Sequence, residues 1–500
     1  MNVILTDISA ELQQNSATQI RQNEISIDNE NLFEYFPEEY REKASSLLIS
    51  RSETKNDLHK KLFSLGFSSF EDALKQEIDI SNQTKASELI ALQQEIKDFL
   101  RKEKEFLEIA GAVFIEPAKI HKTVDISERI LTEHDCKIYQ RGGRLVRILK
   151  QCHLPKPKKS KSQEQESIRR SPDAQIIREL DSTYLTELLN RLKLWIKQDN
   201  RSSDGMKKLD CPERIARHLL ARGEWDLFPV LVGVINHPTL RPDGSILDIP
   251  GYDEETGLLF APDHDDFAKI PQYPTRDDAR VSLDIILDVL RDFPFDESDE
   301  DGDYTNTHRS VALSAILTGL IRKSISTAPL HGFSAPKMAS GKSLLADIVA
   351  IIGSGNDCTM LSHADNEVEE KKRLMAVLLE ADPFVCFDNI ERPFGSSALC
   401  TVLTQQKYKD RILGETRNTE ALTNICFLAT GNNLTFIGDL STRTMMCKLD
   451  PKVERPEERE FDVDLRKYAR QNRGKLVQAG LTILRAYHVA GCPKQEIKQF

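Results

Sequence analysis

APLHGFSAPKMASGKSLLADIVA, residues Ala328 to Ala350, is the stretch from which the rest of the chain is best read. An apolar, β-compatible run ends at Ala335-Pro336, a loop of small and polar residues follows, and Gly341-Lys342-Ser343 opens an amphipathic helix. A strand, a loop and a helix that begins with GK[ST] hold the phosphates of a nucleotide, because N–H groups of the loop and of the helix N-terminus point at the anion. In this reading Ala339, Ser340 and Gly341 cradle phosphate, Lys342 adds a point charge, and the Ser343 hydroxyl holds Mg²⁺. The P-loop pattern places glycine five residues before Gly341; here that residue is Pro336.

Three later elements bear on the same site. A helix predicted over Glu367–Glu380 leads into Pro383-Phe-Val-Cys-Phe-Asp-Asn389, a buried parallel-type strand ending in a carboxylate. That strand is expected beside the phosphate-loop strand, with Asp388 opposite Ser343 on the Mg²⁺ water shell. A third strand, Asn424 to Thr430, ends in Gly431-Asn432-Asn433, where the Asn432 amide suits positioning of an attacking water and sensing of the γ-phosphate. Beyond it lies Arg443, placed as an arginine finger for the neighbouring subunit's nucleotide in a ring ATPase. The four elements, in this order and at compact spacing, predict an α/β ATP-binding P-loop domain built on a parallel sheet.

The segments GKS, FVCFDN, FLATGNN and STR resemble motifs A, B and C and the arginine of superfamily 3 helicases of the AAA+ class. More closely, the chain resembles the primase-helicase ATPases of phages, prophages and integrated elements. That group carries an AP-x4-GKS/T loop, and it is similar to this chain at PTLRPDGSI (238–246), GYDEETGL (251–258), DRILGETR (410–417) and ATGNN (429–433). The likeness runs over roughly residues 125–490 and its motifs over 328–450. It implies an ATP- and Mg²⁺-dependent replicative helicase or its ATPase subunit, a homo-hexameric ring that translocates on single-stranded or forked DNA beside a primase or other replication proteins. It also implies a DNA-contacting hairpin between motifs B and C, which here carries Lys407, Lys409, Arg411 and Arg417. The two lysines and Arg417 rank ahead of Arg411, which also suits the nucleotide site or a structural role. One departure is Asn389, which stands where the superfamily usually has a second acid; Glu391 is the stand-in as the base that activates water. Relatives of this group continue past the point corresponding to Phe500, which implies either a truncated chain or one without a C-terminal module.

Composition sets the outer bounds. Five hundred residues exceed one core, and the mixture of 39% hydrophobic and 29% charged residues belongs to a globular protein. No apolar run approaches the length of a membrane span, and MNVILTDISAELQQN is not built as a secretion signal, so a cytoplasmic location is expected. The nine cysteines include no C-x-x-C pair, and the spacing of His134, Cys136, Cys152 and His153 fits no zinc pattern. A net charge of −11 means that any DNA contact comes from a local basic face.

Local patterns divide the rest. Residues 1–120 read as helical and polar, and an apolar stripe over Lys85–Ala110 marks a helix packed on neighbours or a short coiled coil. Residues 125–150 form a small α/β unit, in which the turn Arg141-Gly-Gly-Arg144 and Arg147 cluster three arginines, either to meet phosphate or as an exposed polar hairpin. Residues 151–172 read as a basic linker, and 173–303 as an α+β collar-like domain that starts with a helix from Ala174 to about Trp195 and ends in the acidic run Asp296–Asp303. The P-loop ATPase domain occupies 304–500. The expected function is a DNA helicase motor; an ATP-switched DNA- or protein-binding scaffold or defence ATPase that does not unwind is the alternative. A bifunctional primase-helicase is disfavoured, since residues 1–200 hold no acidic metal-binding cluster.

Overall fold

The computed structural model describes residues 35–36, 38–76, 83–150, 168–170, 175–199, 201, 206–262, 267–296, 307–364, 366–411, 418–456 and 463–494. Two compact units divide the chain: Met1–Cys136 with Asp181–Arg222, and Lys137–Leu180 with Gly223–Phe500.

In the first unit the helices Glu38–Ser64, Phe70–Lys75 and Gln83–Ala110 enclose Leu58, Leu62, Leu92, Ile96 and Phe99. The apolar stripe is therefore that of a helix packed on neighbours. Next to this bundle, Val113–Phe114 pairs in parallel with Trp195–Ile196, and Met206–Leu209 adds an antiparallel edge. The helix expected from Ala174 begins only at Ser182, where the Asp181 carboxylate accepts the backbone N–H of Tyr184 and caps it. Gln175–Glu179, read as its first turns, is a strand of the second unit paired with Arg144–Lys150. The adjacent β-branched pair Ile176-Ile177 favours the extended chain, and only the cap starts the helix.

The second unit is organised by a six-stranded sheet. Its strands are β1 (Ile168–Arg169), β2 (Leu330–Ala335), β3 (Thr359–Ser362), β4 (Phe384–Ile390), β5 (Cys426–Asn432) and β6 (Thr444–Lys448). The spatial order is β6-β2-β5-β4-β3-β1; β2 to β6 are parallel and β1 is an antiparallel edge. The Asp388 strand, expected beside the phosphate-loop strand, is not its neighbour. β5 lies between them, with Ala335 in register with Asn432. The chain leaves β2 for the far positions β3 and β4 and returns to fill the gap with β5, a choice made by the crossovers and not by any one strand's residues.

Both faces of this sheet are covered. Phe384 and Cys386 point to the core shared with the helices Arg276–Leu290, Thr307–Ile321, Lys342–Ser354 and Arg473–Val489. Val385 and Phe387 point to the other core, under Glu367–Glu380 and Ser397–Thr404. Two apolar faces explain why the strands read as continuous hydrophobic runs. The Phe384 ring is clamped between Gly319 and Gly353, where a Cβ on either would collide with it.

Two basic stretches turn out to be structural. Residues 168–170, within the expected linker, are tied to the sheet: Ile168 and Arg169 pair with Leu361 and Met360, and Arg170 grips Asp382 through bonds of 2.7 and 2.6 Å. The Arg141–Arg144 turn joins Tyr139–Arg141 to Arg144–Lys150 through Gly142 and Gly143, with φ of 56° and 72° as a tight hairpin requires. The two turn glycines are exposed, but the arginines on either side of them are engaged within the fold. Arg141 is buried and donates to the carbonyls of Leu231 and Val232, and Arg144 binds Glu179 and Thr419 Oγ1. The acidic run after Asp296 lies outside the described residues, as do Cys152 and His153. Among the described residues no helix is long and apolar enough to cross a membrane.

Candidate functional site

At the C-terminal end of β2 the chain turns through Pro336–Ser340 into the helix Lys342–Ser354. Left-handed backbone falls at Ala339 (φ 56°) and at Gly341 (φ 93°), the residue that caps the helix. No such conformation is needed at 336, which is why proline serves where the pattern has glycine. Ser340 is buried, and its hydroxyl donates to Lys337 O at 2.9 Å, drawing the loop closed. The first N–H groups of any helix have no partner within it, and here that end of the helix follows directly on the loop, an arrangement suited to an anion.

Lys342 folds back over this loop. Its amine donates to Lys337 O and to Asn432 Oδ1, each at 2.9 Å. Partial burial pushes the pKa of the amine down, and the Asp388 carboxylate opposes that shift. Ser343, one residue on, donates to Asp388 Oδ1 at 3.4 Å. The same carboxylate oxygen accepts a 2.7 Å bond from Thr430 Oγ1, and Thr430 Oγ1 accepts the Asn389 N–H at 3.2 Å. A register shift between Phe387 and Ile390 and a left-handed Asn389 (φ 53°) mark a bulge at this point of β4. Such a bulge re-aims side chains at the end of a strand.

Lys342, Ser343, Asp388 and Asn432 therefore converge from three separate stretches on one end of the sheet. Thr430 completes the group and was overlooked in the sequence. The cue was there: it sits two residues before Asn432 on one strand, so both project from the same face. A serine hydroxyl beside a carboxylate fits Mg²⁺, which keeps most of its water and takes one or two protein oxygens with the phosphates. Among the described residues no group of three or more His, Cys, Asp or Glu is placed to hold a metal by itself. Beside the loop is a cavity of about 310 Å³ bounded by residues 339–344, Phe293, Pro294 and Leu465. These give an apolar wall of the kind a planar base packs against.

The remaining expected residues lie elsewhere. Glu391 is exposed past the bulge and accepts a 3.0 Å bond from Asn389 Nδ2. Arg443 ends the 3-10 turn Gly438–Arg443 and immediately precedes β6. Because Thr444 is in register with Leu330, Arg443 is at the opposite end of the sheet from the loop Pro336–Ser340, a strand length of about 20 Å away. There it lines a cavity of about 570 Å³, and among the described residues its hydrogen bonds are long, 3.3 Å to Cys400 O and 3.4 Å to Asp439 Oδ2.

The basic segment between Asp388 and Asn432 is a hairpin, Lys407–Arg411 with Asn418–Leu422. Tyr408 and Ala421 anchor it in the second core, and Lys407 and Lys409 are exposed. Lys407 pairs with Glu420 at 2.7 Å. Arg411 is at the end of its strand; Arg417, with the rest of 412–417, lies outside the described residues.

No protein-family model matches the chain, and no curated protein does either. Among solved structures it is similar to the apo C-terminal region of NrS-1, at 14% identity and a TM-score of 0.30, over 61% of this chain and 70% of that one. The apo NrS-1 C-terminal region 305–718 aligns over 63% of this chain and 75% of its own length at the same identity and score. The JCV helicase aligns over 42% of this chain and 60% of that chain, at 16% identity and a TM-score of 0.22. At such scores the roles of this chain's residues rest on their own geometry.

Proposed function

We propose that this chain is the ATP- and Mg²⁺-dependent motor of a phage or mobile-element replication system, a P-loop ATPase of the AAA+ type that works as a homo-hexameric ring on single-stranded or forked DNA. The observation that carries the reading is the convergence of Lys342, Ser343, Asp388 and Asn432 at the helix N-terminus. Lys342 exchanges its bonds to Lys337 O and Asn432 Oδ1 for phosphate oxygens, which its charge favours over two neutral acceptors. That exchange releases the Asn432 amide to orient a water at the γ-phosphate. Ser343 and Asp388 would hold Mg²⁺, which would supply positive charge against the phosphates. Phe293 and Leu465 shield the base from water. Glu391 remains the candidate base, provided the loop after β4 brings it round from Asn389.

Two features support the ring and the DNA track. Arg443 stands too far from its own phosphate loop to serve it, so any part it plays in hydrolysis falls at a neighbour's site. The hairpin presents Lys407 and Lys409, both exposed, on one strand; lysines of this kind follow a phosphate backbone without reading bases, and Arg411 and Arg417 are proposed to add to the track. A primase or another replication protein is the expected partner.

Thr430 acts as a positioning residue for Asp388. Thr430→Val removes the 2.7 Å bond while keeping the shape, and it is expected to raise the Mg²⁺ needed for half-maximal ATPase by about tenfold, with much less change in kcat at saturating Mg²⁺. A Mg²⁺ titration of phosphate release checks it; an unchanged midpoint would remove Thr430 from the site.

The motor is tested by ATPase and forked-duplex unwinding measured on the same preparation. ATPase stimulated by single-stranded DNA together with strand separation is expected. ATPase without separation would make the chain a nucleotide-switched scaffold.

A further inference from the structure

The helix that follows the phosphate loop hides one charge. Residues 345–354 of Lys342–Ser354 are all buried, and Asp347 is the one charged side chain among them. It lies four residues beyond Ser343, on the same face of the helix. A carboxylate in such a place is costly unless it is paired and hydrogen-bonded, and Asp347 is both. Its Oδ2 accepts bonds from Nε and Nη2 of Arg466 at 2.9 and 2.6 Å, and its Oδ1 accepts the Cys358 N–H at 3.2 Å. Burial pushes the pKa of Asp347 up, and the Arg466 guanidinium works against that shift.

Arg466 belongs to the short helix Leu465–Gln471, whose start is capped by the Asp464 carboxylate accepting the Lys467 N–H at 3.1 Å. Four residues on, Arg470 pairs with Asp357, in the short connection from the phosphate-loop helix to β3. The two arginines share a face of their helix and grip the longer helix and its exit, while Tyr468 and Ala469 join the apolar core.

Apolar side chains of similar size would dock the short helix about as firmly, because the attraction in a buried ion pair is largely spent on desolvating it. What the pair adds is a fixed place: a planar guanidinium held by two N–H bonds to one carboxylate leaves little room to slide. The residue so placed is Leu465, next to Arg466 at the helix start. With Phe293 and Pro294 it gives the apolar wall of the cavity of about 310 Å³ beside residues 339–344.

We propose that Arg466, acting through Asp347, is the positioning residue of a nucleobase subsite: it holds Leu465 where the flat face of the base packs, and so ties recognition of the base to the helix that meets the phosphates. This inference rests on the nucleotide reading of the phosphate loop.

The test is calorimetric titration of the full chain, in Mg²⁺, with ATPγS and separately with tripolyphosphate, which offers three phosphates and no base. Wild type is expected to bind ATPγS the more tightly. In Arg466→Met the Kd for ATPγS is expected to rise about tenfold while that for tripolyphosphate stays within about twofold, and Arg466→Lys, which keeps the charge, should recover part of the loss. Thermal melting checks the fold. Because Arg466→Met leaves a buried carboxylate unpaired, Leu465→Ala repeats the measurement with the ion pair intact and is expected to show the same base-selective loss. Equal weakening of both ligands would make Arg466 a structural residue only, and an unchanged ATPγS affinity in Arg466→Met would remove it from the site; either result overturns the proposal. Wild type that binds both ligands equally keeps the phosphate loop and overturns the base subsite alone. Wild type that binds neither overturns the nucleotide reading, and this inference with it.

Discussion

Lys342→Ala is expected to abolish ATP turnover while the circular dichroism spectrum and melting temperature stay close to those of the wild type. The two expectations have separate physical grounds. In the fold the Lys342 amine bonds one backbone carbonyl, Lys337 O, and one side-chain amide, Asn432 Oδ1. Neither acceptor is locked away from water: Lys337 is exposed and Asn432 half-buried, so both rehydrate once the lysine is gone. The stability change should therefore remain within about 1 kcal/mol. At the nucleotide the loss is of another order. The amine is the one side-chain cation that the loop brings to the helix N-terminus, and removing a single preorganised donor at a site of developing charge typically costs about a hundredfold to a thousandfold in rate. Phosphate release at saturating ATP is the measurement. Wild-type turnover would mean that Ala328–Ala350 is a helix start without a nucleotide.

Arg443→Ala carries the second large effect, a loss of about a thousandfold or more in kcat if the side chain stabilises transferring phosphate across a subunit boundary. Little structural cost is expected, since its contacts to Cys400 O and Asp439 Oδ2 are long and the pair with Asp439 is largely exposed. What separates a trans role from a structural one is complementation. Mixing Arg443→Ala chains with Lys342→Ala chains creates boundaries at which an intact phosphate loop meets an intact arginine, and partial recovery of ATPase is expected there. Arg443→Ala rings that turn over normally, or mixtures with no recovery, would rule out the cross-boundary role.

Much of the site could be read without coordinates because its parts are local patterns. Gly341-Lys342-Ser343 at a helix start, a carboxylate at the end of an apolar strand and an amide at the end of another each follow from a few neighbouring residues. Thr430 escaped because its value depends on the bulge at Asn389, which turns Asp388 toward it across two strands. The arginines of the Arg141–Arg144 turn were misread for the related reason that charge in a sequence carries no burial. Only the packed structure shows carbonyls of Leu231 and Val232 around Arg141. Gln175–Glu179 shows a limit of periodicity, since a short apolar pair fits either a strand or a helix and the partner strand Arg144–Lys150 decides.

What the sequence determined by itself was the strand, loop and helix of Ala328–Ala350, the order of the elements behind them and their parallel, doubly covered character, because each is encoded in short-range spacing and composition. The tertiary structure alone decided the strand order. It set Asn432, and not Asp388, next to Ala335, put Arg443 at the far end of the sheet, and buried Arg141 among backbone carbonyls. Those outcomes depend on which strands the crossovers pass over and on what closes around each charge, and both are properties of contacts between residues far apart in the chain.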